Sequence, residues 1–329
     1  MEMLEKTKRG MDLTFEEATI LFDEMLSGNV EESRMEAILL ALAKKGETEE
    51  EIAAAAQVML SHAIPVDHTF DTLLDTCGTG GDGSGSFNIS TAAAILCSLF
   101  VPVAKHGNRA MSSKSGSADV LEALGIPIDL GREEASRFLT KNNFVFLFAQ
   151  KFHPAMKSVA TVRRKLGRKT IFNLLGPLCN PAKPDCQLIG IFNEDFMARY
   201  MGAIEQIGIP NVMVVSSKDG LDEVSISDTT TCYHKKGASV RKFTFDPQEF
   251  GIYAGKETIQ GYEAQTNAEL MKEVFLGRNH NDLTNAIAIN AAFSLTLTEV
   301  EKNLRKAFLL ARETIKSGKV LDKLAELSS

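Results

Sequence analysis

The first seventy residues carry apolar side chains at helical spacing. Apolar positions recur every three or four residues, which is the period of an amphipathic helix. Thr14 and Thr48 each precede a glutamate by three residues, the spacing of a capping box that marks a helix start. The pattern therefore predicts three amphipathic helices within 14–64. Their predicted ends are marked by Gly28, Gly46 and Pro65.

From about residue 70 onward, short apolar and β-branched runs alternate with helical segments. Strands that alternate with helices are typical of βαβ units and a parallel sheet. The last sixty residues carry a helical pattern. The predicted strands cover 72–77, 101–104, 144–148, 188–192 and 212–216, and a hairpin follows over 232–245.

These patterns predict an α/β protein with two domains. A small all-helical domain covers 1–69, and a larger domain over 70–329 holds a mostly parallel central sheet flanked by helices. With 329 residues, of which 44% are hydrophobic, the chain can bury a core large enough for this arrangement.

Composition restricts the class of partner and the compartment. A net charge of −7 argues against nucleic acid as the main partner. No apolar run reaches the length of a membrane span, and the N-terminus lacks the apolar region of a signal peptide, so we expect a cytoplasmic protein without a membrane partner. The five cysteines form no C-x-x-C pair, and their odd number favours free thiols over a disulfide framework.

The segment 75–91 is rich in glycine and hydroxyl residues. Glycines let backbone N–H groups converge on an anion, so the segment predicts a phosphate or diphosphate site. Gly78, Gly80 and Gly83 also fit a dinucleotide fingerprint, but there the helix begins inside the glycine motif. Here the helix is expected only from about Ser90, and the next strand ends in basic residues instead of an acidic one. Both features favour a phosphate ligand.

A second polar loop covers 105–119 and follows the neighbouring predicted strand. It contains three cationic residues, four serines and two glycines at the carboxyl end of a strand, where open α/β sheets bind ligands. A solvated charged surface would explain this loop equally well if it stood alone. Beside the first loop, a second phosphate-binding loop is the better interpretation.

Two further segments carry charge. Asp222 and Glu223 follow a glycine just beyond a strand and would be hard oxygen ligands for Mg²⁺ on a diphosphate, although a solvated acidic turn is the alternative. The segment 153–169 contains a helix with a cluster of cations.

The motifs occur in a specific order and spacing. They are 78–82, 105–109, 115–119, 153–156, 173–177 and 220–223. In this order they resemble the anthranilate phosphoribosyltransferase family, over nearly the whole chain to about residue 320. The resemblance implies transfer of a 5-phosphoribosyl group from phosphoribosyl pyrophosphate to the amine of anthranilate. It also implies Mg²⁺ as cofactor and a homodimer.

The resemblance also implies a role for individual residues. The segment at about 160–183 would return to the helical domain, and Arg163 would bind the anthranilate carboxylate; Arg164 lies about 100° away on the same helix and would not. The implied donor site comprises Gly78, Thr79, Gly80, Gly81, Asp82, Ser86, Asn88, Ser90, Thr91, Lys105 and Ser117. The implied anthranilate site comprises Gly78, His106, Asn108, Arg163 and Gly176. The implied metal ligands are Ser90, Asp222 and Glu223.

The chain departs from the family pattern in two places, and two rival functions remain. Segment 216–218 lacks a histidine that family members often carry, and Lys169 stands where arginine is common. A pyrimidine nucleoside phosphorylase shares the implied fold but lacks the elements at Arg163 and 173–177. A relative that has lost transferase activity and binds nucleic acid would need broad basic surfaces, which the acidic balance argues against.

Overall fold

The computed structural model describes residues 2–81, 83–110, 114–278 and 281–329. Asp82 of the implied donor site lies outside these ranges.

The N-terminal part is helical, and the three predicted helices are confirmed. At Thr14 and Thr48 the side-chain oxygen accepts a hydrogen bond from the backbone N–H three residues later, which completes both predicted capping boxes. Gly46 follows the second of these helices with φ 86°, a conformation that favours glycine. A short additional helix precedes the three and was not predicted. The four helices are α1 (Glu2–Lys8), α2 (Phe15–Leu26), α3 (Glu32–Lys45) and α4 (Glu49–Ser61).

A seven-stranded sheet forms the centre of the rest of the chain, with the order β3-β2-β1-β4-β5-β6-β7. The first five strands pair in parallel, and the predicted hairpin adds the last two antiparallel. The mostly parallel sheet is therefore confirmed. The strands are β1 (Leu74–Gly78), β2 (Val103–Gly107), β3 (Phe144–Phe148), β4 (Cys186–Gly190), β5 (Asn211–Ser217), β6 (Thr230–Lys236) and β7 (Ser239–Phe245).

Helices connect the strands and end the chain. The connecting helices are α5 (Ile89–Cys97), α6 (Ser117–Ala123), α7 (Arg132–Asn142), α8 (Ala149–Phe152), α9 (Lys157–Leu166), α10 (Phe172–Leu175) and α11 (Met197–Ile207). The last four are α12 (Ala264–Phe275), α13 (Asn281–Leu297), α14 (Leu304–Lys316) and α15 (Lys319–Leu327). Short 3₁₀ turns lie at Pro154–Met156, Gly176–Cys179, Glu194–Phe196, Pro247–Phe250 and Lys256–Ile259.

Neighbouring residues of a strand point to opposite faces of the sheet, and in this sheet each face is covered by a core. One face packs under α5, α6 and the C-terminal helices, with Leu188 and Val215 in that core. On the other face, Ile189 and Val214 pack with α2–α4. The return segment joins this second core through buried residues of α9 and α10, Val162 among them. The boundary near residue 70 stays a prediction.

The structure also bears on membrane association. Among the helices that it describes, none is long and apolar enough to cross a membrane.

Candidate active site

The predicted loops meet where the strand order changes direction. β1 pairs with β2 on one side and with β4 on the other, so the connections after β1 and β4 diverge and leave a crevice at the carboxyl ends. Gly78 ends β1 and is paired with Gly190, which ends β4. This crevice is the usual ligand position in open α/β sheets.

The segment that carries the acidic pair packs directly into this crevice. The Gly80 N–H donates a hydrogen bond of 2.8 Å to Oδ2 of Asp222. A Cβ atom on Gly78 would lie 2.4 Å from the same oxygen, and one on Gly190 would lie 1.6 Å from the backbone oxygen of Asp222. A side chain at Gly190 would therefore require the main chain of the acidic segment to move, whereas at Gly78 the Asp222 side chain would have to shift. Gly190 was not predicted as part of the site, because the strand predicted over 188–192 places it in the strand interior, whereas β4 ends at this residue.

Glu223 lies deeper in the crevice. Its Oε1 accepts a hydrogen bond of 3.2 Å from the backbone N–H of Ser90, in the first turn of α5. Burial raises the pKa of Glu223 to about 8, and the neighbouring carboxylate of Asp222 acts in the same direction, whereas Lys105 opposes them. The structure thus brings together the three residues implied as metal ligands.

Lys105 is buried beneath the first loop. Its ammonium group donates to the backbone oxygen of Thr76 and, at 3.3 Å, to Oγ of Ser90. The charge is therefore buried beside Ser90, where it opposes the rise in the pKa of Glu223, and does not lie in open solvent.

A buried carboxylate that was not predicted lies below Lys105. Asp75 accepts hydrogen bonds from the backbone N–H of His106 at 3.2 Å and from Nδ2 of Asn180 at 2.9 Å. Burial raises the pKa of Asp75 to about 6, with Lys105 as the main opposing influence. Asn180 also donates to the backbone oxygen of Ala104, so it joins the end of the return segment to β1 and β2.

The glycine loop has the backbone shape that its composition predicts. Gly80 and Gly81 have φ angles of 66° and 71°, in the left-handed region that favours glycine. Within the described ranges, the buried hydroxyls of Thr79 and Thr91 have no hydrogen-bond partner. Buried polar groups are normally satisfied, so these two hydroxyls indicate a polar ligand at the loop. Ser86 forms an isolated β-bridge with Gln260.

Asn88 links three segments around the loop. Its Nδ2 donates to the backbone oxygen of Ser115 at 3.2 Å, and its Oδ1 accepts from Nδ2 of Asn267 at 2.8 Å. Asn267, in α12, was not predicted. The Asn88 side chain therefore joins the first loop, the second loop and a C-terminal helix.

The second loop presents less positive charge to the crevice than the sequence predicts. Arg109 does not present a free cation, because its guanidinium forms ion pairs with Asp119 at 2.9 Å and Glu122 at 2.8 Å. Asn108 accepts hydrogen bonds from the backbone N–H of Arg109 and from Gln150. Ser117 is the first residue of α6. Of the three expected cations, Lys105 is buried, Arg109 is paired, and Lys114 lies 5.9 Å from the ring centre of Tyr262.

The implied acceptor side contains a buried histidine pair. Nδ1 of His106 is 3.0 Å from the backbone oxygen of Gly176, and its ring centre is 5.1 Å from that of His153. Burial lowers the pKa of His106 to about 3 and that of His153 to about 4. Both rings are therefore neutral at pH 7. Nε2 of His106 has no hydrogen-bond partner in the part of the chain that the structure describes.

Arg163 and Arg164 differ as the helical geometry predicts. Arg163 is half-buried and stacks 5.6 Å from the ring centre of Phe172, whereas Arg164 is exposed. Burial lowers the pKa of Arg163, and no carboxylate in the described ranges forms an ion pair with it. A half-buried guanidinium without a counter-ion is suited to bind an anionic group.

Comparison with known proteins agrees with this geometry. A family model described as the α/β domain of a glycosyl transferase family matches residues 71–321, and its helical bundle domain matches 1–63. The anthranilate phosphoribosyltransferase of Caldicellulosiruptor saccharolyticus is 41% identical over 327 residues, covering 99% of this chain and 97% of that protein. The chain belongs to the anthranilate phosphoribosyltransferase family.

Solved structures of anthranilate phosphoribosyltransferases have the same fold. The protein from Thermus thermophilus superimposes with a TM-score of 0.93 at 36% identity, covering 100% of this chain and 98% of that one. The Saccharomyces cerevisiae protein, in complex with phosphoribosyl pyrophosphate and Mg, gives 0.90 at 28% identity, covering 99% and 96%. It has also been solved in complex with 4-fluoroanthranilate.

The oxygen ligands at this site fit a hard divalent cation that the substrate phosphates would also bind. No three His, Cys, Asp or Glu side chains converge within the described ranges, so the protein alone does not offer a closed metal cage. Asp222, Glu223 and the Ser90 hydroxyl supply oxygen atoms on one side. Mg²⁺ commonly keeps water and takes substrate phosphates for its remaining positions, which suits this open arrangement.

Gly176 offers a test of the anthranilate side. Its φ of −46° is ordinary, and apart from its immediate neighbours in the chain no described residue lies within 4 Å of a Cβ built there. We expect Gly176→Ala to keep or raise stability, by about 0.4–1 kcal/mol, because alanine suits this backbone. An added methyl group over a bound ring should raise the anthranilate KM about tenfold or more. Steady-state kinetics would check both substrates, and an unchanged anthranilate KM would place the acceptor elsewhere.

His153 offers a test of stability against pH. Its pKa is depressed to about 4 in the folded protein, so its contribution is complete above the unfolded value of about 6.5 and is lost as pH falls. Between pH 7 and 4.5 this one group should remove about 2–3 kcal/mol from the free energy of unfolding. We expect His153→Gln to lack this part of the pH dependence, as measured by urea unfolding at several pH values. Parallel pH curves for both proteins would contradict the assignment.

Proposed function

We propose that this chain transfers the 5-phosphoribosyl group of phosphoribosyl pyrophosphate to the amine of anthranilate. The products are N-(5-phosphoribosyl)anthranilate and pyrophosphate, in a step of tryptophan biosynthesis. The observation that carries the proposal is the position of the acidic pair, which lies against the glycine loop at the switch point of the sheet. Membership of the family supports the same reaction.

The reaction breaks the bond between the ribose C1 and the diphosphate oxygen and forms a C–N bond to anthranilate, and the amine loses a proton. The protein's task is to stabilise the leaving diphosphate and to hold the amine behind C1, so positioning and charge stabilisation supply most of the rate. An unprotonated arylamine is already a nucleophile. Because no strong base is demanded, we assign none.

We propose the donor site at the first loop and the two segments beside it. Thr79 and Thr91 supply free hydroxyls there, and the Lys105 charge is held close by. The full proposed donor set is Gly78, Thr79, Gly80, Gly81, Asp82, Ser86, Asn88, Ser90, Thr91, Lys105 and Ser117.

We propose that Asp222, Glu223 and Ser90 hold Mg²⁺ together with the donor diphosphate. When bound, the ion neutralises charge on the leaving group. Burial, and after it the neighbouring Asp222 carboxylate, raises the pKa of Glu223, and a bound cation would favour the charged form of both groups. In this proposal, these three residues mark the diphosphate end of the donor site.

We propose that anthranilate lies between the return segment and the second loop. Because His106 is neutral, the charge that pairs with the carboxylate comes from Arg163, whose planar fork suits a bidentate contact. His106, Asn108, Gly78 and Gly176 would frame the rest of the ring.

We also propose the domain arrangement and the assembly. The helical domain covers 1–69, receives the segment at about 160–183, and precedes the domain over 70–329. A cytoplasmic homodimer would form through the helical domain, where Met11 and Ile20 are apolar and about half exposed. Analytical ultracentrifugation with Ile20→Glu would test it, and a wild-type monomer would contradict it.

One assay tests the reaction directly. Anthranilate fluorescence should disappear only when phosphoribosyl pyrophosphate and Mg²⁺ are both present. Two results would contradict the proposal: loss of fluorescence when one of the two compounds is missing, or unchanged fluorescence when both are present. The rival nucleoside phosphorylase activity is checked with thymidine or uridine and inorganic phosphate, which should give no base release.

A further inference from the structure

A buried asparagine of α13 contacts the segment that carries the acidic pair. Asn290 is 1% exposed, and its side-chain amide pairs with both polar groups of one residue. The Val224 N–H donates to Oδ1 of Asn290 at 3.0 Å, and Nδ2 of Asn290 donates to the Val224 backbone oxygen at 2.9 Å. The Asn290 amide thus pairs with Val224 as a backbone peptide group of a neighbouring strand would.

This pairing fixes the backbone immediately after Glu223. From the other side, the Ser217 hydroxyl donates to the backbone oxygen of Glu223 at 2.7 Å, so the main chain of the acidic segment is held from β5 and from α13. A second donor bond from Nδ2 of Asn290 to the Ala286 backbone oxygen, at 2.9 Å, holds the amide in its own helix. The bond to Ala286 therefore fixes the orientation of the Asn290 amide independently of its contact with Val224.

Asn290 also lines the same small cavity as the groups it would position. The cavity is bordered by Gly78, Ser90, Asp222, Glu223 and Asn290. Only a side-chain amide offers a donor and an acceptor in the geometry that a peptide group needs. A leucine of similar shape would leave the Val224 N–H and C=O without partners in a buried place.

We propose that Asn290 is a positioning residue that sets the orientation of the Asp222 and Glu223 carboxylates through the main chain of Val224. The inference rests on the proposed metal site. Through Asn290, α13 would contribute to binding of the phosphoribosyl donor, although none of the implied site residues lies in this helix.

Binding of Mn²⁺ in the presence of phosphoribosyl pyrophosphate, followed by electron paramagnetic resonance, provides a readout that does not depend on turnover. Residues that orient metal ligands typically change metal affinity about 10- to 100-fold when replaced. We expect Asn290→Leu to weaken Mn²⁺ binding within this range and to raise the KM for phosphoribosyl pyrophosphate, with the anthranilate KM unchanged. If the substitution only unfolded part of the protein, the number of Mn²⁺ sites per chain would fall, but the Mn²⁺ dissociation constant of the folded fraction would be unchanged.

Three variants make the result decisive. Ser294 lies one turn further along α13, and its buried hydroxyl donates to the Asn290 backbone oxygen. Ser294→Ala removes this hydroxyl and should bind Mn²⁺ as the wild type does. Glu223→Gln tests the metal site itself and should weaken binding. If Asn290→Leu does not fold, Asn290→Ala leaves room for water beside Val224 and is measured in its place.

The outcomes separate the two hypotheses. Weak Mn²⁺ binding by Glu223→Gln with wild-type binding by a folded Asn290 variant would overturn the positioning role alone. Wild-type binding by Glu223→Gln would overturn the metal assignment, and the positioning role with it. Equal weakening by Ser294→Ala and Asn290→Leu would also overturn the role, because it would assign the effect to general damage in α13.

Discussion

Gly190→Ala is expected to reduce kcat/KM for phosphoribosyl pyrophosphate by about 100-fold or more, because a displacement of about 1 Å in a reacting group costs on that order. A Cβ atom at this position would lie 1.6 Å from the backbone oxygen of Asp222 and 2.4 Å from its carbonyl carbon. These are main-chain atoms, which cannot turn aside as a flexible side chain can. The acidic segment must therefore move away from the glycine loop.

The stability effect should be smaller than the kinetic effect. Overpacking typically costs about 1–3 kcal/mol, which a chain of this size can survive. Thermal unfolding would show that the variant is folded, and donor titrations would give the kinetic loss. Gly131→Ala is the matched control, since Gly131 precedes α7 with an ordinary φ of −79° and a Cβ there meets its nearest atom at 3.4 Å. Wild-type donor kinetics in folded Gly190→Ala would show that the position of Asp222 is not critical.

The parts of the site that the sequence predicted are those with local causes. The glycine loop needs left-handed φ angles at Gly80 and Gly81, and only glycine adopts these readily. The expected helix start near Ser90 follows from local residue preferences, and α5 begins at Ile89. The strands arise from short apolar runs, so their order in the chain was also predictable.

The parts that were missed depend on contacts between distant segments. Asn180 contacts Asp75, Asn267 contacts Asn88, and Asn290 contacts Val224, and in each case no local pattern marks the partner. An isolated asparagine in a helix or loop has many possible roles. Its role is defined only when the fold brings a second polar group to it.

The error at Arg109 has a different cause. The prediction rests on the cations of the loop, but Asp119 and Glu122 are three residues apart in α6 and therefore share one face of that helix. Arg109 pairs with both. Asp119 at the end of the loop and Glu122 just after it are visible in the sequence, and together they reduce the positive charge that the loop can offer.

Arg163→Ala is expected to reduce kcat/KM for anthranilate by about 10- to 150-fold, which corresponds to the loss of a charge-assisted hydrogen bond of about 1.5–3 kcal/mol. The KM for phosphoribosyl pyrophosphate should change little. The reason is that Arg163 is a half-buried guanidinium without a carboxylate partner in the described ranges, and the two buried histidines of the implied acceptor side are neutral. Steady-state titration of each substrate against a saturating concentration of the other measures both effects.

The guanidinium also covers the ring of Phe172, so truncation removes packing as well as charge. Arg163→Met keeps most of the apolar stem and should lose as much anthranilate specificity as Arg163→Ala if the charge is responsible. Arg163→Lys keeps a charge without the planar fork and should be intermediate. Arg164→Ala is the matched control, because that side chain is exposed on the same helix. A loss at Arg164 with normal anthranilate use in all three Arg163 variants would assign the carboxylate contact to the other arginine.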